Sequence, residues 1–176
     1  MHKIGRLIHL SSISFKLTSN AFENAQPIPK KFTREGNDLS PSLEWSGAPA
    51  QTKQFVLVCE DPDAPQDEPW VHWLLYKISP ALLGVPEGLP KSKIIQGAET
   101  FYQGKNSFGE IGYGGPLPPR GHGWHRYIFR LFAIDVELQE PPGISKQQLF
   151  DVMRSHILTY AELVGTYRRE SILRSA

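Results

Sequence analysis

The stretch "QFVLVCEDPDAP", residues 54–65, determines how the rest of the chain is organised. Residues 55–59 form an unbroken apolar run with two β-branched valines, which predicts a strand buried on both faces. The prolines that follow cannot continue a central strand, so the chain leaves the sheet near Asp61. Asp61 and Asp63 are then either carboxylates that line a pocket or turn residues that accept backbone N–H bonds.

Two further stretches predict strands beside this one. Residues 70–78, "WVHWLLYKI", follow after a short connection and predict a second buried strand, on which Trp70, His72 and Leu74 share a face. Residues 125–135, "HRYIFRLFAID", carry apolar side chains on both faces, which predicts a strand between two layers. In that strand, Arg130 needs a charged partner or access to solvent.

The remaining chain predicts short strands, long loops and one helix. Short strands are expected from residue 15 onward and over residues 43–45, and residues 79–116 predict long surface loops because they are rich in Gly, Pro, Lys and Ser. Ser145 is a suitable N-cap for an amphipathic helix whose apolar residues recur at helical spacing to about Gly165, its expected C-cap.

Length and composition favour one β-rich domain. The 176 residues include 15 Gly and 15 Pro, typical of many turns. We divide the chain into an N-terminal extension (1–14), a domain (15–168) and a polar C-terminal tail (169–176). Lys and Arg total 19 against 18 Asp and Glu, so no basic excess points to nucleic acid. No run reaches the roughly 20 apolar residues of a transmembrane helix. A single cysteine and no glycosylation sequon favour a cytoplasmic location over a periplasmic or secreted one.

Histidines on two strands are candidate site residues. His72 is expected to approach Asp61 or Asp63, because the connection between their strands is short. A nearby carboxylate raises the pKa of a histidine and fixes which ring nitrogen carries the proton. The alternative is a core histidine with satisfied hydrogen bonds. On the other strand, His125 and Tyr127 share one face.

The stretch "PPRGHGWHRYIF", residues 118–129, places His122 and His125 three residues apart on a glycine-rich loop, a spacing that does not define a metal site by itself. His72, His125 and one carboxylate could form a facial triad for iron. The glycines and prolines instead favour a nest of backbone N–H groups for an anion. We therefore expect no metal, leave His122 outside the site, and place Arg126 on the opposite side of the strand.

Common catalytic signatures are missing from the sequence. It contains no Gly-x-Ser-x-Gly elbow, Walker phosphate loop, His-Glu-x-x-His motif or Gly-x-Gly-x-x-Gly helix start. Ser107 lies in a predicted loop without an evident histidine partner, so a nucleophile is lacking. We expect a protein that is not an enzyme and needs no cofactor. The alternative is a hydrolase in which a His–Asp pair activates water.

Together, "DPDAP", "WVHWLLYKI", "YGGPLPPRGHGWHRYIF" and "LVGTYRR" resemble the phosphatidylethanolamine-binding protein family, especially its bacterial and archaeal branch of Raf kinase inhibitor-like proteins. The resemblance covers residues 15–168. It implies a mainly β fold with one or two helices, in which a large, largely antiparallel central sheet packs on a smaller one. It also implies an edge pocket for phosphate, acetate or a phospholipid head group. By position, the ligand-binding residues would be Asp61, Asp63, Pro65, Trp70, His72, Gly115, Pro118, Pro119, His125 and Tyr127.

The resemblance implies a mechanism of anion binding. Both histidines of that set would be protonated and would donate to anionic oxygens, together with the Tyr127 hydroxyl and a backbone N–H around Gly115. The two aspartates would lie behind the histidines and keep them charged. Affinity for phosphate is then expected to fall as the pH rises through the histidine pKa values.

Partners and some local features also follow from the resemblance. As an alternative function, the loops over residues 79–116 would inhibit a protein kinase or protease, as some relatives do. Prokaryotic relatives imply a homodimer. A cis peptide bond is predicted by position between Glu68 and Pro69. The extra C-terminal helix of eukaryotic members has no counterpart here, and the first dozen residues have none in the prokaryotic pattern.

Overall fold

A computed structural model describes residues 14–172, which form two β-sheets and one α-helix. The helix is α1, Lys146–Met153. The strands are β1 Lys16–Thr18, β2 Gln26–Pro27, β3 Leu43–Ser46, β4 Gln54–Asp61, β5 Trp70–Ile78, β6 Gly84–Val85, β7 Ile94–Ile95, β8 Phe101–Gln103, β9 His125–Ile134 and β10 Ile157–Tyr167. The predicted N-terminal extension, apart from its last residue, and the last four residues of the predicted tail lie outside the described range.

The larger sheet has the strand order β2, β10, β9, β4, β5, β8, β7, and its pairs are antiparallel except for the short pair of β2 with β10. The smaller sheet has the order β1, β3, β6. Leu17, Trp45 and Val85 of the smaller sheet join one apolar core with side chains of the larger sheet. This arrangement confirms the predicted fold class.

Strand β4 lies at the centre of the larger sheet and is buried on both faces, as predicted. Phe55 and Leu57 pack toward the smaller sheet. Val56 and Val58 pack on the other side with Leu149 of α1. Burying one such side chain contributes about 1.5–3 kcal/mol. These side chains therefore attach the smaller sheet to one face of β4 and α1 to the other.

Strand β9 confirms the predicted two-sided strand. Tyr127 and Phe129 belong to the core shared with the smaller sheet, and Phe132 to the core under α1. Arg130 has the partner it needs, because its Nε donates to Glu162 Oε2 of the neighbouring β10 at 2.8 Å. Opposite charges facing each other across two strands stabilise their pairing.

The helix starts where predicted but ends much earlier. Ser145 Oγ accepts from the N–H of Gln148 at 3.2 Å, and Gln148 Oε1 accepts from the N–H of Ser145 at 2.9 Å, a capping box. The predicted continuation to Gly165 is wrong, because residues 157–167 form β10 and pair along the length of β9. The buried Ala161, Leu163 and Gly165 recur at every second residue, which is the period of a strand and not of a helix.

A β-bulge at His72 changes the predicted faces of β5. Cys59 of β4 pairs with Trp73 and the next residue, Glu60, pairs with Val71, so His72 is the extra residue. Leu74 therefore packs in the core under α1 instead of sharing the face of His72. The bulge aims His72 at the end of the sheet where the candidate site lies.

Residues 79–116, predicted as loops, also contain the short strands β6, β7 and β8. β8 pairs with β5 and so extends the larger sheet on that side. Within residues 14–172, no helix has the length and apolar character required to cross a bilayer.

Candidate functional site

A cavity of about 310 Å³ lies where β4 ends and where β5 and β9 begin. These three ends meet at one edge because neighbouring strands are antiparallel. The walls are mainly apolar, and the polar groups come from the strand ends. The lining residues are Asp61, Ala64, Pro65, Trp70, His72, Phe108, Leu117, Pro118, Pro119, His125 and Tyr127.

A chain of hydrogen bonds runs from Asp61 outward through two histidines. Asp61 is buried, and its Oδ2 accepts from His125 Nδ1 at 2.7 Å. His125 is also buried, and its Nε2 lies 2.6 Å from Nδ1 of the exposed His122. The other oxygen of Asp61 accepts the N–H of Asp63 at 2.8 Å. The carboxylate therefore fixes the proton of His125 on Nδ1.

His72 is neutral at neutral pH, contrary to the prediction of a protonated donor. Its Nδ1 donates to the carbonyl oxygen of Gly114. Burial lowers the pKa of His72 to about 4, although the Gly114 carbonyl and the charge of Asp61 act in the opposite direction. Since Nδ1 carries the proton, Nε2 is left as a hydrogen-bond acceptor.

Two donors on residues that line the cavity have no protein partner among the described residues. They are the indole Nε1 of Trp70 and the hydroxyl of Tyr127, both shielded from solvent. Burial raises the pKa of Tyr127, so its hydroxyl keeps its proton. The rings themselves are held, since Tyr127 packs edge-on to His72 at 5.0 Å between centroids and Trp70 packs against Phe108 at 5.2 Å.

Asp63, a predicted ligand-binding residue, does not line the cavity. Its carboxylate accepts from Arg126 Nε at 3.0 Å, from Arg126 Nη2 at 2.9 Å and from the Arg126 backbone N–H at 2.9 Å. These hydrogen bonds lower the pKa of Asp63. Arg126 thus lies on the outer side of β9, as predicted, and the pair joins the turn after β4 to the start of β9.

Gly115 also differs from its predicted role as an anion donor. Its N–H donates to Asp38 Oδ1 at 2.7 Å, and the neighbouring Gly114 N–H donates to the His72 carbonyl at 2.9 Å. A Cβ at Gly115 would lie 2.4 Å from the Phe32 carbonyl oxygen. Glycine is therefore required here for close backbone packing beside the cavity.

The peptide bond between Glu68 and Pro69 is trans, so the predicted cis bond is wrong. The trans form of an X-Pro bond is favoured by about 0.5–1 kcal/mol unless local contacts select cis. Here the turn is exposed, and Gln66 Nε2 donates to the Glu68 carbonyl at 2.9 Å with the bond in the trans form.

No three His, Cys, Asp or Glu side chains in the described part of the chain are arranged to hold a metal ion. The facial triad considered from the sequence needs free nitrogens on His72 and His125. Both nitrogens of His125 and the Nδ1 of His72 are instead engaged in hydrogen bonds.

Comparison with known proteins assigns the family. The family model described as "Phosphatidylethanolamine-binding protein" matches residues 18–168. The chain belongs to the phosphatidylethanolamine-binding protein family. This result confirms the resemblance carried by the sequence motifs around Asp61 and His125.

Relatives of this phosphatidylethanolamine-binding protein family member include bacterial and archaeal proteins. A UPF0098 protein of Aquifex aeolicus is 41% identical over 166 residues, covering 94% of this chain and 95% of the relative. The crystal structure of a phosphatidylethanolamine-binding protein homologue from Chlamydia trachomatis has 41% identity and a TM-score of 0.79, covering 90% of this chain and 99% of that one. YbcL of Escherichia coli, described as a new member of the mammalian PEBP family, has 30% identity and a TM-score of 0.80. The match covers 88% of this chain and 98% of YbcL.

Within this family fold, the cavity contains residues that sequence reasoning did not select: Ala64, Phe108 and Leu117. Ala64 lies inside the "DPDAP" motif, and Leu117 immediately precedes the predicted prolines, so both could have been included. Phe108 comes from a distant loop, and no local signal marks it. The spacing of His122 and His125 does not define a metal site by itself, but it allows the direct contact between their rings.

Proposed function

We propose that the cavity binds a small ligand bearing an oxyanion, of the class of phosphate monoesters and phospholipid head groups. The observation that carries the proposal is the pair of unpartnered donors, Trp70 Nε1 and Tyr127 OH, on two residues that line the same cavity. A buried donor without a partner costs about 1–3 kcal/mol. Ligand oxygens that accept from these donors would remove that cost, which favours a ligand rich in acceptors.

The size and walls of the cavity suit the polar end of a ligand. Small-molecule pockets range over roughly 300–1,000 Å³, and this cavity is at the lower limit. A phosphate ester with a short substituent fits such a volume, whereas the acyl chains of a whole lipid do not. The apolar wall of Pro65, Phe108 and Pro118 would contact the substituent.

The protonation of His72 narrows the chemistry of the ligand. Because Nε2 of His72 can only accept, a fully deprotonated oxyanion facing it would be repelled. A ligand with an O–H or N–H beside its anionic oxygens, such as hydrogen phosphate or phosphoethanolamine, supplies the missing donor. This replaces the expectation that both histidines donate to the anion.

A second candidate function is hydrolysis, favoured by the Asp61–His125 pair. A buried carboxylate that orients an imidazole is the arrangement of a general base. His125 Nε2 would have to leave His122 before it could take a proton from water. Turnover of p-nitrophenyl phosphate or p-nitrophenyl acetate that disappears in His125→Ala would support this function, and no turnover by the unaltered protein would exclude it for these substrates.

Regulation of a kinase or protease is a further proposal within the family. Phe108 belongs to the long segment 79–116 and also lines the cavity, so a bound ligand would contact that segment directly. The Arg34 guanidinium lies over the Phe108 ring, with its Cζ 4.1 Å from the ring centroid. Phe108 and Arg34 therefore connect the cavity with the protein surface. A protein captured only when phosphoethanolamine is present, and lost with Phe108→Ala, would support this route.

Tyr127→Phe is expected to weaken ligand binding without weakening the fold. Loss of a hydrogen bond to a charged oxygen should lower the affinity for O-phosphoethanolamine by about ten- to a hundredfold. The free energy of unfolding should stay the same or rise, since the hydroxyl has no protein partner in the described structure. Isothermal titration calorimetry at pH 7 and urea denaturation measure the two quantities.

Tyr76→Phe is the matched control, because Tyr76 is a buried tyrosine whose hydroxyl donates to the Pro141 carbonyl at 2.6 Å in the other core. It should lose about 1 kcal/mol of stability and keep its affinity. Equal affinities of Tyr127→Phe and the unaltered protein would contradict the proposed function. Inorganic phosphate, titrated in parallel, shows whether the anion alone or the ethanolamine end also contributes.

A further inference from the structure

His122 makes a contact that the proposed binding mechanism does not use. Its Nδ1 lies 2.6 Å from His125 Nε2, while His125 Nδ1 donates to Asp61 at 2.7 Å. Both nitrogens of the buried His125 are therefore occupied by the protein. A ligand oxygen cannot take a hydrogen bond from His125 Nε2 while His122 holds that position.

Only one proton can lie between the two rings. Asp61 requires the proton of His125 on Nδ1, so Nε2 of a neutral His125 accepts from a protonated Nδ1 of His122. If His125 is charged, its Nε2–H donates to His122 instead. In the charged state, His122 accepts the hydrogen bond that an incoming oxyanion would accept, and in the neutral state it still occupies the same nitrogen.

The side chain of His122 is placed so that it can leave. It is exposed, and it lies between Gly121 and Gly123, whose positive φ angles of 73° and 89° are readily adopted by glycine. The loop backbone is anchored separately, since the Gly121 N–H donates to the Arg169 carbonyl at 3.2 Å. The imidazole can thus rotate away from His125 without unfolding the loop, and its own backbone N–H still donates to Pro119.

We propose that His122 is an internal competitor that occupies His125 Nε2 until an oxyanion displaces it. The inference rests on the proposed function, because it concerns the ligand of the same cavity. It assigns His122 a role in setting affinity: the ligand must replace one hydrogen bond to gain another. If His125 Nε2 is free in only a fraction of the molecules, the apparent affinity for the ligand is reduced by that fraction.

His122→Ala should therefore bind O-phosphoethanolamine more tightly than the unaltered protein, by about three- to tenfold in calorimetry. His156→Ala is the matched control. His156 is another histidine bound through Nδ1 to a carboxylate, Asp135, at 2.9 Å, but it lies away from the cavity. Its loss should leave the affinity unchanged.

A second readout separates competition from a merely structural role. In ¹⁵N spectra of the histidine rings, saturation with O-phosphoethanolamine should move the His122 resonances to those of a ring free in solvent. A structural role predicts no such release. Weaker or unchanged binding by His122→Ala, with Tyr127→Phe still defective, would overturn the competitor role and leave the proposed function standing. Failure of both the unaltered protein and His122→Ala to bind O-phosphoethanolamine or inorganic phosphate would overturn both.

Discussion

Replacing Asp61 with alanine is expected to lower the free energy of unfolding by about 4 kcal/mol. Asp61 is buried, and its two oxygens accept from the Asp63 N–H and from His125 Nδ1. The substitution leaves the buried His125 Nδ1–H and the partly buried Asp63 N–H without a partner, and each loss costs about 1–3 kcal/mol. For a chain of this length the midpoint of thermal unfolding should fall by about 10 °C. Urea denaturation followed by circular dichroism gives the free energy.

Asp135→Ala is the control for this effect. Asp135 also binds a histidine, His156, but 45% of the Asp135 side chain and 41% of the His156 side chain are exposed to solvent. An exposed pair of this kind contributes less than about 1 kcal/mol, so the variant should unfold almost as the unaltered protein does. Similar losses in Asp61→Ala and Asp135→Ala would contradict the buried carboxylate–imidazole pair as the anchor of the site.

The stability of the protein is expected to fall as the pH is lowered from about 6.5 to about 4, with His72 as a major cause. The pKa of His72 is about 4 in the folded chain because the ring is buried, whereas an unfolded histidine titrates near 6.5. Between these values the unfolded chain binds more protons, so acid favours unfolding. The contribution of His72 amounts to roughly 3 kcal/mol over the window and changes little above or below it.

Two variants isolate this contribution from that of the carboxylates. His72→Gln and His72→Phe both remove the titrating ring, and their absolute stabilities should differ because only glutamine can donate to the Gly114 carbonyl. Their pH profiles should nevertheless run parallel to each other and be flatter than that of the unaltered protein between pH 6.5 and 4. Three parallel profiles would show that His72 does not stay neutral in the folded protein.

The central part of the fold could be predicted from the sequence because its signals are local and repeated. The apolar run of β4 and the alternation in β9 each mark a strand with two covered faces. β10 was predicted as a helix because Ile157, Tyr160, Leu163 and Val164 recur at helical spacing over a short window. The pairing with β9, which decides between the two, is a long-range interaction.

The composition of the cavity wall was also largely predictable, but the role of each polar group was not. The bulge at His72 and the hydrogen bond to the Gly114 carbonyl join residues far apart in sequence, and together they turn an expected donor into an acceptor. Likewise, the Gly115 N–H is taken by Asp38, a residue from a separate loop. The Tyr127 hydroxyl was already an expected donor, whereas the second donor, the Trp70 indole, can be recognised only when its partners in the structure have been counted.

The central claim is that Trp70 Nε1 and Tyr127 OH receive the oxygen of a ligand, and the indole protons report on it most directly. The chain has four tryptophans, and each gives one indole signal in a ¹H–¹⁵N spectrum. The indoles of Trp45 and Trp73 already donate within the protein, at 2.8 Å to Leu82 O and at 2.8 Å to Gln103 Oε1. Trp124 is exposed.

Titration with O-phosphoethanolamine should move the Trp70 signal downfield, as expected for a new hydrogen bond, and leave the other three in place. Trp70→Phe identifies the signal by its loss. A Trp70 signal that stays fixed while calorimetry records binding, or a shift confined to Trp124, would contradict this site as the place where the ligand binds.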